Sequence, residues 1–241
     1  EKGGYDSFML KEIHEQPKAI RDTMTGRVSL NEKINLGDFK LTKEELDNID
    51  RIYIIACGTA YNAGLIGKVA IEDLARIPVE VAIASEFRYR NPIVTNKTLI
   101  VTLSQSGETA DTLAALEIAK EKGCDTLGII NVLESSIARS SDIVLYTKAG
   151  SEIAVATTKA YSAQITLLSL IALNIACSKK LISEDEIKEI LSEIKNLPIK
   201  IQSLLDKKDD YKEIAKKIYN KNNVFFIGRD IDYALCMEGS L

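Results

Sequence analysis

Residues Ser104-Gln105-Ser106-Gly107-Glu108-Thr109 place three hydroxyls, a carboxamide and a glycine within six positions. That set suits an oxyanion such as a phosphate. Ser104, Ser106 and Thr109 can each donate an O–H, Gln105 can donate from its amide, and Gly107 leaves backbone N–H groups uncovered. The competing explanation is local: serine and threonine cap helices and glycine makes turns, so any strand-to-helix connection can hold one or two of them. The set here exceeds that need, and the anion site is the preferred reading. Glu108 would repel a phosphate if it faced the same way. It is expected to point outward and to complement the dipole of the helix it opens.

Two other turns carry weaker signals. In Cys57-Gly58-Thr59-Ala60, Gly58 would let a ligand approach the backbone, and the Thr59 hydroxyl could bond a ligand oxygen. A dinucleotide site would want a GxGxxG series here, and CGTAYN does not supply it, so no cofactor is expected. Cys57 has no histidine or cation beside it in sequence and is read as a buried structural cysteine rather than a nucleophile. In Gly150-Ser151-Glu152-Ile153-Ala154-Val155-Ala156-Thr157-Thr158-Lys159, Thr157 and Thr158 are read as N-caps, and small residues before them leave room for a ligand against the backbone.

The remaining chemistry is narrowed by what is absent from the sequence. His14 is the only histidine and sits between acidic neighbours on a polar amphipathic segment, so it is read as a solvated helix residue. A histidine-based metal site or a Ser-His-Asp triad is poorly supported, and no metal is expected. Cys57, Cys124, Cys177 and Cys236 are far apart, with no CxxC pair, which makes a reducing cytoplasm the simplest setting. Lys and Arg total 31 against 35 Asp and Glu, and with no long basic run a nucleic-acid partner is not expected. The longest apolar stretch, 165–177, is too short for a membrane span of ~20 residues, and EKGGYDSF is not a signal peptide.

These turns need elements to position them. Residues 8–24 read as a helix stopping at Gly26; a polar connector follows, and Thr42-Lys43-Glu44-Glu45 has the form of a capping box. From Arg51 strands and helices alternate. RIYIIACG, PVEVAIAS, TLIVTLS, CDTLGIIN and DIVLYTK read as strands, while TAYNAGLIGKVAIEDLA and ETADTLAALEIAKEKG, the latter starting near Glu108, read as helices. Near-continuous Val, Ile and Leu runs separated by helices imply a doubly wound α/β fold, a parallel sheet covered on both faces. Residues 157–177 read as a long buried helix, 184–197 as an amphipathic helix ended by Pro198, and 211–220 as another. NNVFFIGRD then repeats the strand-to-turn pattern of RIYIIACGT, and DYALCMEGSL should begin a helix, as at the start of a second α/β unit.

The turns CGTAYNAG, SEFRYR, SQSGETADTLAAL and GSEIAVATTKAY, in this order, resemble those of the glucosamine-6-phosphate synthase (glutamine:fructose-6-phosphate aminotransferase) family. EKGGYDSFMLKEIHEQPKAI resembles the segment that enters the isomerase region of that family, and the likeness covers nearly all 241 residues. The resemblance implies a sugar isomerase (SIS) domain of three α/β/α layers. Carried over by position, Ser104, Gln105, Ser106 and Thr109 hold the phosphate of fructose 6-phosphate or glucosamine 6-phosphate, Thr59 lies beside the sugar, and Val155 gives a backbone contact. Gly58, Ala60 and Gly107 are weaker candidates. A serine can stand in the family at the position of Ala60, which leaves one sugar hydroxyl contact fewer here.

The resemblance further implies a homodimer, a glutaminase domain in the full-length enzyme, and catalysis by a lysine that forms a Schiff base together with a glutamate and a histidine. None of these catalytic residues can be assigned. The lysine and glutamate are expected beyond Leu241, so the chain should bind sugar phosphate without turning it over. The expected division is 1–48 linker and helices, 49–197 first SIS subdomain, and 198–241 connecting helices with the first strand and helix of a second subdomain. The alternatives are a non-catalytic SIS sugar-phosphate sensor, another phosphosugar isomerase or lyase, and an interaction module whose turns are only caps.

Overall fold

Runs of Val, Ile and Leu bounded by glycine and polar residues pair into one parallel sheet of five strands: β1 (Arg51–Ala56), β2 (Val79–Ile83), β3 (Thr98–Ser104), β4 (Asp125–Ile130) and β5 (Ile143–Tyr146). The computed structural model describes residues 1–29, 31–37 and 39–241; Leu30 and Asp38, in the polar connector, lie outside the described residues. The strand order is β2-β1-β3-β4-β5, with β3 buried along its whole length. This order reverses between β1 and β3, where a doubly wound sheet opens a crevice at its carboxyl edge.

The helices in chain order are α1 (Phe8–His14), α2 (Gln16–Met24), α3 (Lys43–Asn48), α4 (Thr59–Ala75), α5 (Ala84–Tyr89), α6 (Ala110–Glu121), α7 (Ser136–Ser140), α8 (Lys159–Ser178), α9 (Glu184–Leu205), α10 (Lys208–Ile218) and α11 (Ile231–Ser240). Alternate strand residues face opposite layers. Ile52, Ile54, Val101 and Leu127 join the core made with α2, α4, α8 and α9, whereas Tyr53, Ile55 and Ile100 pack with Phe87 of α5 and Ala115 and Ala119 of α6. The expected three-layer, doubly wound α/β architecture is what forms. The capping box at α3 is also as expected: the Thr42 N–H donates to Glu45 Oε2 at 2.7 Å, and the Glu45 N–H donates to Thr42 Oγ1 at 3.2 Å.

Several boundaries differ from the sequence reading. The helix expected over 8–24 is two, because Pro17 has no N–H for the turn before it; Gln16 Nε2 donates to the freed Ile13 carbonyl at 3.1 Å. The strand expected to reach Ser85 stops at Ile83, the partner of Ala56, where β1 itself ends, and Ala84 opens α5. The short α7 was not anticipated. Pro198 does not end α9. The apolar stripe of Leu191, Ile194 and Leu197 continues through buried Pro198 to Ile201, so packing outweighs the lost hydrogen bond. Residues 223–229, expected as a strand, pair with no other segment among the described residues, and Phe225 and Ile227 are exposed. The following α11 does form and packs on α4. α8 spans 20 residues, starting two residues later than expected, and is long enough for a membrane span, but 67% of its most apolar window is buried within the protein.

Candidate functional site

The carboxyl ends of β1 and β3, the loop before α8 and one face of α11 enclose a cleft of about 690 Å³. Gly58, Thr59 and Ala60 line it from the β1–α4 turn, Ser104, Gln105, Ser106 and Thr109 from the β3–α6 turn, and Val155 to Thr158 from the loop that feeds α8. At the first of these turns Gly58 has φ 55 and ψ −137, a left-handed conformation that favours glycine. The backbone is therefore bare where the chain enters α4.

The β3–α6 turn is ordered by its own hydroxyls. The Gly107 N–H donates to Ser104 Oγ at 2.9 Å, and the Glu108 N–H donates to Ser106 Oγ at 3.2 Å. Ser104 Oγ and Thr109 Oγ1 are 3.2 Å apart, close enough for one to donate to the other. A hydroxyl has one hydrogen and two lone pairs. Accepting a backbone N–H thus leaves its own hydrogen available, and with one hydrogen used between Ser104 and Thr109, two of the three remain to donate to an anion. Thr109 is the N-cap of α6 but makes no side-chain cap bond, so the first N–H groups of that helix are free to serve a ligand as well. The helix dipole adds about 0.3–1 kcal/mol for an anion.

Glu108 is turned away from this cradle. Its Oε1 accepts the Ser136 N–H at 2.8 Å at the start of α7, and this bonding, helped by Arg139, holds its carboxyl below the ordinary range. It points outward as expected, yet it complements the dipole of α7 rather than of α6. Gly107 departs further from expectation: its N–H is taken by Ser104, and it does not line the cleft. It has φ +68, and its α-carbon faces Ser135 and Ile130, where an added Cβ would come within 2.5 Å of Ser135 Cβ and 2.9 Å of Ile130 Cγ2.

Residues 45–174 match the SIS domain family. The chain belongs to that family. All 241 residues align at 56% identity with the glutamine–fructose-6-phosphate aminotransferase (isomerizing) of Caldanaerobacter subterraneus subsp. tengcongensis, and at 54% with that of Clostridium tetani. The chain spans 40% of the length of each of these relatives. Among solved structures, the C-terminal domain of glucosamine-fructose-6-phosphate aminotransferase from Francisella tularensis superposes with a TM-score of 0.93 at 39% identity, over 99% of this chain and 67% of that one. The family resemblance drawn from the turns is borne out.

The SIS cleft thus gathers Thr59, Ser104, Gln105, Ser106, Thr109, Val155, Gly58 and Ala60, and of the sugar-phosphate candidates carried over by position Gly107 stands outside it. Val155 lines the cleft and is fully exposed. Cys57 lines the cleft and lies 3.9 Å from Thr112 Oγ1; all four cysteines are free thiols. His14 is outside the cleft lining. Its Nδ1 lies 2.9 Å from the Leu10 carbonyl and its ring packs on Tyr5.

Other residues at the SIS cleft carried no sequence signal. Glu238 of α11 accepts from Thr59 Oγ1 at 3.0 Å and from Asn62 Nδ2 at 2.8 Å, which leaves Thr59 to accept from a ligand hydroxyl. Burial, followed by the charge of Glu238, pushes the Tyr161 phenol up to about 12. The loop before α8 is held from beneath. Buried Glu12 of α1 accepts from the Ile153 N–H at 2.6 Å and the Ala154 N–H at 3.2 Å, while Glu152 accepts from the Thr158 N–H at 3.0 Å. Burial pushes the Glu152 carboxyl up, against the N–H groups of Thr158 and Ala160, and nearby Glu12 adds to the rise. Thr158 is the N-cap position, as read from the sequence, but the cap bond comes from Glu152 and not from its own hydroxyl. Lys159, buried at 4% exposure, reaches Glu15 at 2.6 Å and ties α8 to the α1–α2 junction.

Proposed function

We propose that this cleft binds the phosphate of fructose 6-phosphate and of glucosamine 6-phosphate. The chain would then serve as the sugar-phosphate-binding part of an isomerizing glutamine–fructose-6-phosphate aminotransferase, which moves ammonia from glutamine onto fructose 6-phosphate. The observation that carries this reading is the β3–α6 turn. Its serine hydroxyls accept the turn's own N–H groups and keep hydrogens to donate, beside a helix N-terminus with no side-chain cap. No lysine or arginine lines the cleft among the described residues, so the dianion is held by O–H and N–H groups rather than by a countercharge.

The same lining has no amine and no histidine, so the 241 residues tested alone bind without isomerising. The SIS pattern at 45–174 supports reading 49–197 as the first SIS subdomain, with 1–48 as the entering helices and 198–241 as the passage into a second. Homodimer formation, pairing with a glutaminase domain and a cytoplasmic setting belong to the same proposal, the last supported by the free cysteines.

Calorimetric titration of glucosamine 6-phosphate into the wild-type chain and into the Ser104→Ala/Ser106→Ala variant tests the reading. Losing two anion-directed hydrogen bonds should weaken binding by about 2 kcal/mol or more, roughly thirtyfold. Equal affinity in the two proteins, or turnover of fructose 6-phosphate by this chain alone, would contradict it.

A further inference from the structure

The wall of the cleft contributed by α8 carries two polar atoms with no hydrogen-bond partner, Thr158 Oγ1 and Gln164 Oε1. Gln164 is 1% exposed, so bulk water does not serve its oxygen. Buried polar atoms are nearly always paired, and an amide oxygen left alone at the edge of a binding cleft points to a donor that arrives with the ligand. That donor cannot be the phosphate dianion, which only accepts. It must be an O–H or N–H group on the rest of the ligand, and a sugar body supplies hydroxyls. The cleft is large enough for such a body, since about 690 Å³ lies at the upper half of the usual range for small-molecule sites and far exceeds a phosphate.

The two ends of the site therefore differ in kind. The β3–α6 turn presents donors, and the α8 wall presents an acceptor oxygen at Gln164 beside the Thr158 hydroxyl, which can act either way. We propose that Gln164 Oε1 accepts a hydrogen bond from a hydroxyl on the sugar body of the ligand, and so makes the cleft selective for polyhydroxylated phosphates over phosphate itself. This rests on the phosphate reading above and extends it, because it fixes which end of the ligand faces α8. It also gives a role to a buried carboxamide that lies among Ala160, Ala163, Leu167 and Leu168 on the mostly apolar buried side of α8.

The test uses the 241-residue chain and three probes: inorganic phosphate, hexyl phosphate and fructose 6-phosphate. In the wild type, fructose 6-phosphate should bind more tightly than the other two. Gln164→Met keeps the length of the side chain and removes the acceptor. It should weaken fructose 6-phosphate about tenfold, the value of one buried hydrogen bond, and leave both probes that lack a sugar body within about twofold. Their retained binding also reports that the variant is folded. As a check that needs no variant, the Gln164 side-chain amide resonances should shift with fructose 6-phosphate and not with inorganic phosphate. Unchanged affinity of the variant for fructose 6-phosphate overturns the proposal and leaves the phosphate site standing. Equal weakening of all three probes overturns it in favour of a purely structural role. Failure of the wild type to bind any probe removes the phosphate reading and this inference together.

Discussion

Replacing Gly107 by alanine should destabilise the chain through two separable effects. The first is conformational: an L-residue at φ +68 costs about 1–2 kcal/mol. The second is steric. The new methyl would overlap Ser135 and press on Ile130 Cγ2 at 2.9 Å, and overpacking of this kind costs about 1–3 kcal/mol. Together they give about 2–5 kcal/mol, a fall in Tm on the order of 10 °C for a chain of this size. A double-mutant cycle separates the two. Ser135 is the N-cap of α7 yet makes no cap bond, and its Oγ has no partner, so Ser135→Gly alone should change stability by less than about 0.5 kcal/mol. Gly107→Ala/Ser135→Gly opens the space that the methyl needs and should recover most of the steric part, a coupling of about 1–3 kcal/mol. Urea unfolding of the four proteins, followed by circular dichroism, measures it. Strict additivity would show that Gly107 is required only for its backbone angle and that the packing of α7 against the turn has no part in it.

Two further outcomes test how the loop before α8 is held. Glu12→Ala leaves the Ile153 and Ala154 N–H groups without their acceptor, at about 1–3 kcal/mol; amide hydrogen exchange at those two residues should accelerate at least tenfold, and unchanged exchange would mean the loop does not depend on α1. Burial raises the Glu15 carboxyl, but the hydrogen bond and charge of Lys159 outweigh it and bring the net value below 4.5. A lowered folded-state value contributes stability that is present above 4.5 and is lost as pH falls through the lower value. Lys159→Met should therefore be less stable than wild type at neutral pH, with the gap narrowing as pH falls below 4.5 in urea titrations; a gap independent of pH would remove the ion pair as its cause.

The sheet and the position of the site were legible because both are written in short stretches. Ile52 to Ile55 is a continuous apolar run and Leu99 to Leu103 one broken only by Thr102, and the turn that follows each one falls, in a parallel sheet, at the same edge. What was missed depends on partners distant in sequence. Glu12 and Ile153 are 141 positions apart and Thr59 and Glu238 are 179, and nothing near any of these residues announces the other. The end of β2 at Ile83 is set by the end of its neighbour β1. Pro198 reads as a terminator unless the apolar stripe on its far side is known to be buried. For 223–229 the strand-like sequence is present but pairs with no other segment among the described residues, so the same pattern that makes β1 a strand leaves this segment exposed.

The turn at Ser104 also shows why capping and anion binding were poorly posed as alternatives. The structure uses Ser104 and Ser106 as acceptors for the turn's own N–H groups, the role that a purely local explanation assigns them. Thr109, placed where a cap should be, does not cap. Each hydroxyl that accepts an N–H becomes fixed in position while its hydrogen stays free, so the local bonds build the cradle rather than compete with it. Under the proposed function, a phosphate entering the cleft would find donors already oriented, with no internal bond to break beyond the contact between Ser104 and Thr109. Substituting Thr109 alone should accordingly weaken phosphate binding in calorimetric titration less than substituting Ser104, whose oxygen also accepts the Gly107 N–H and so shapes the turn.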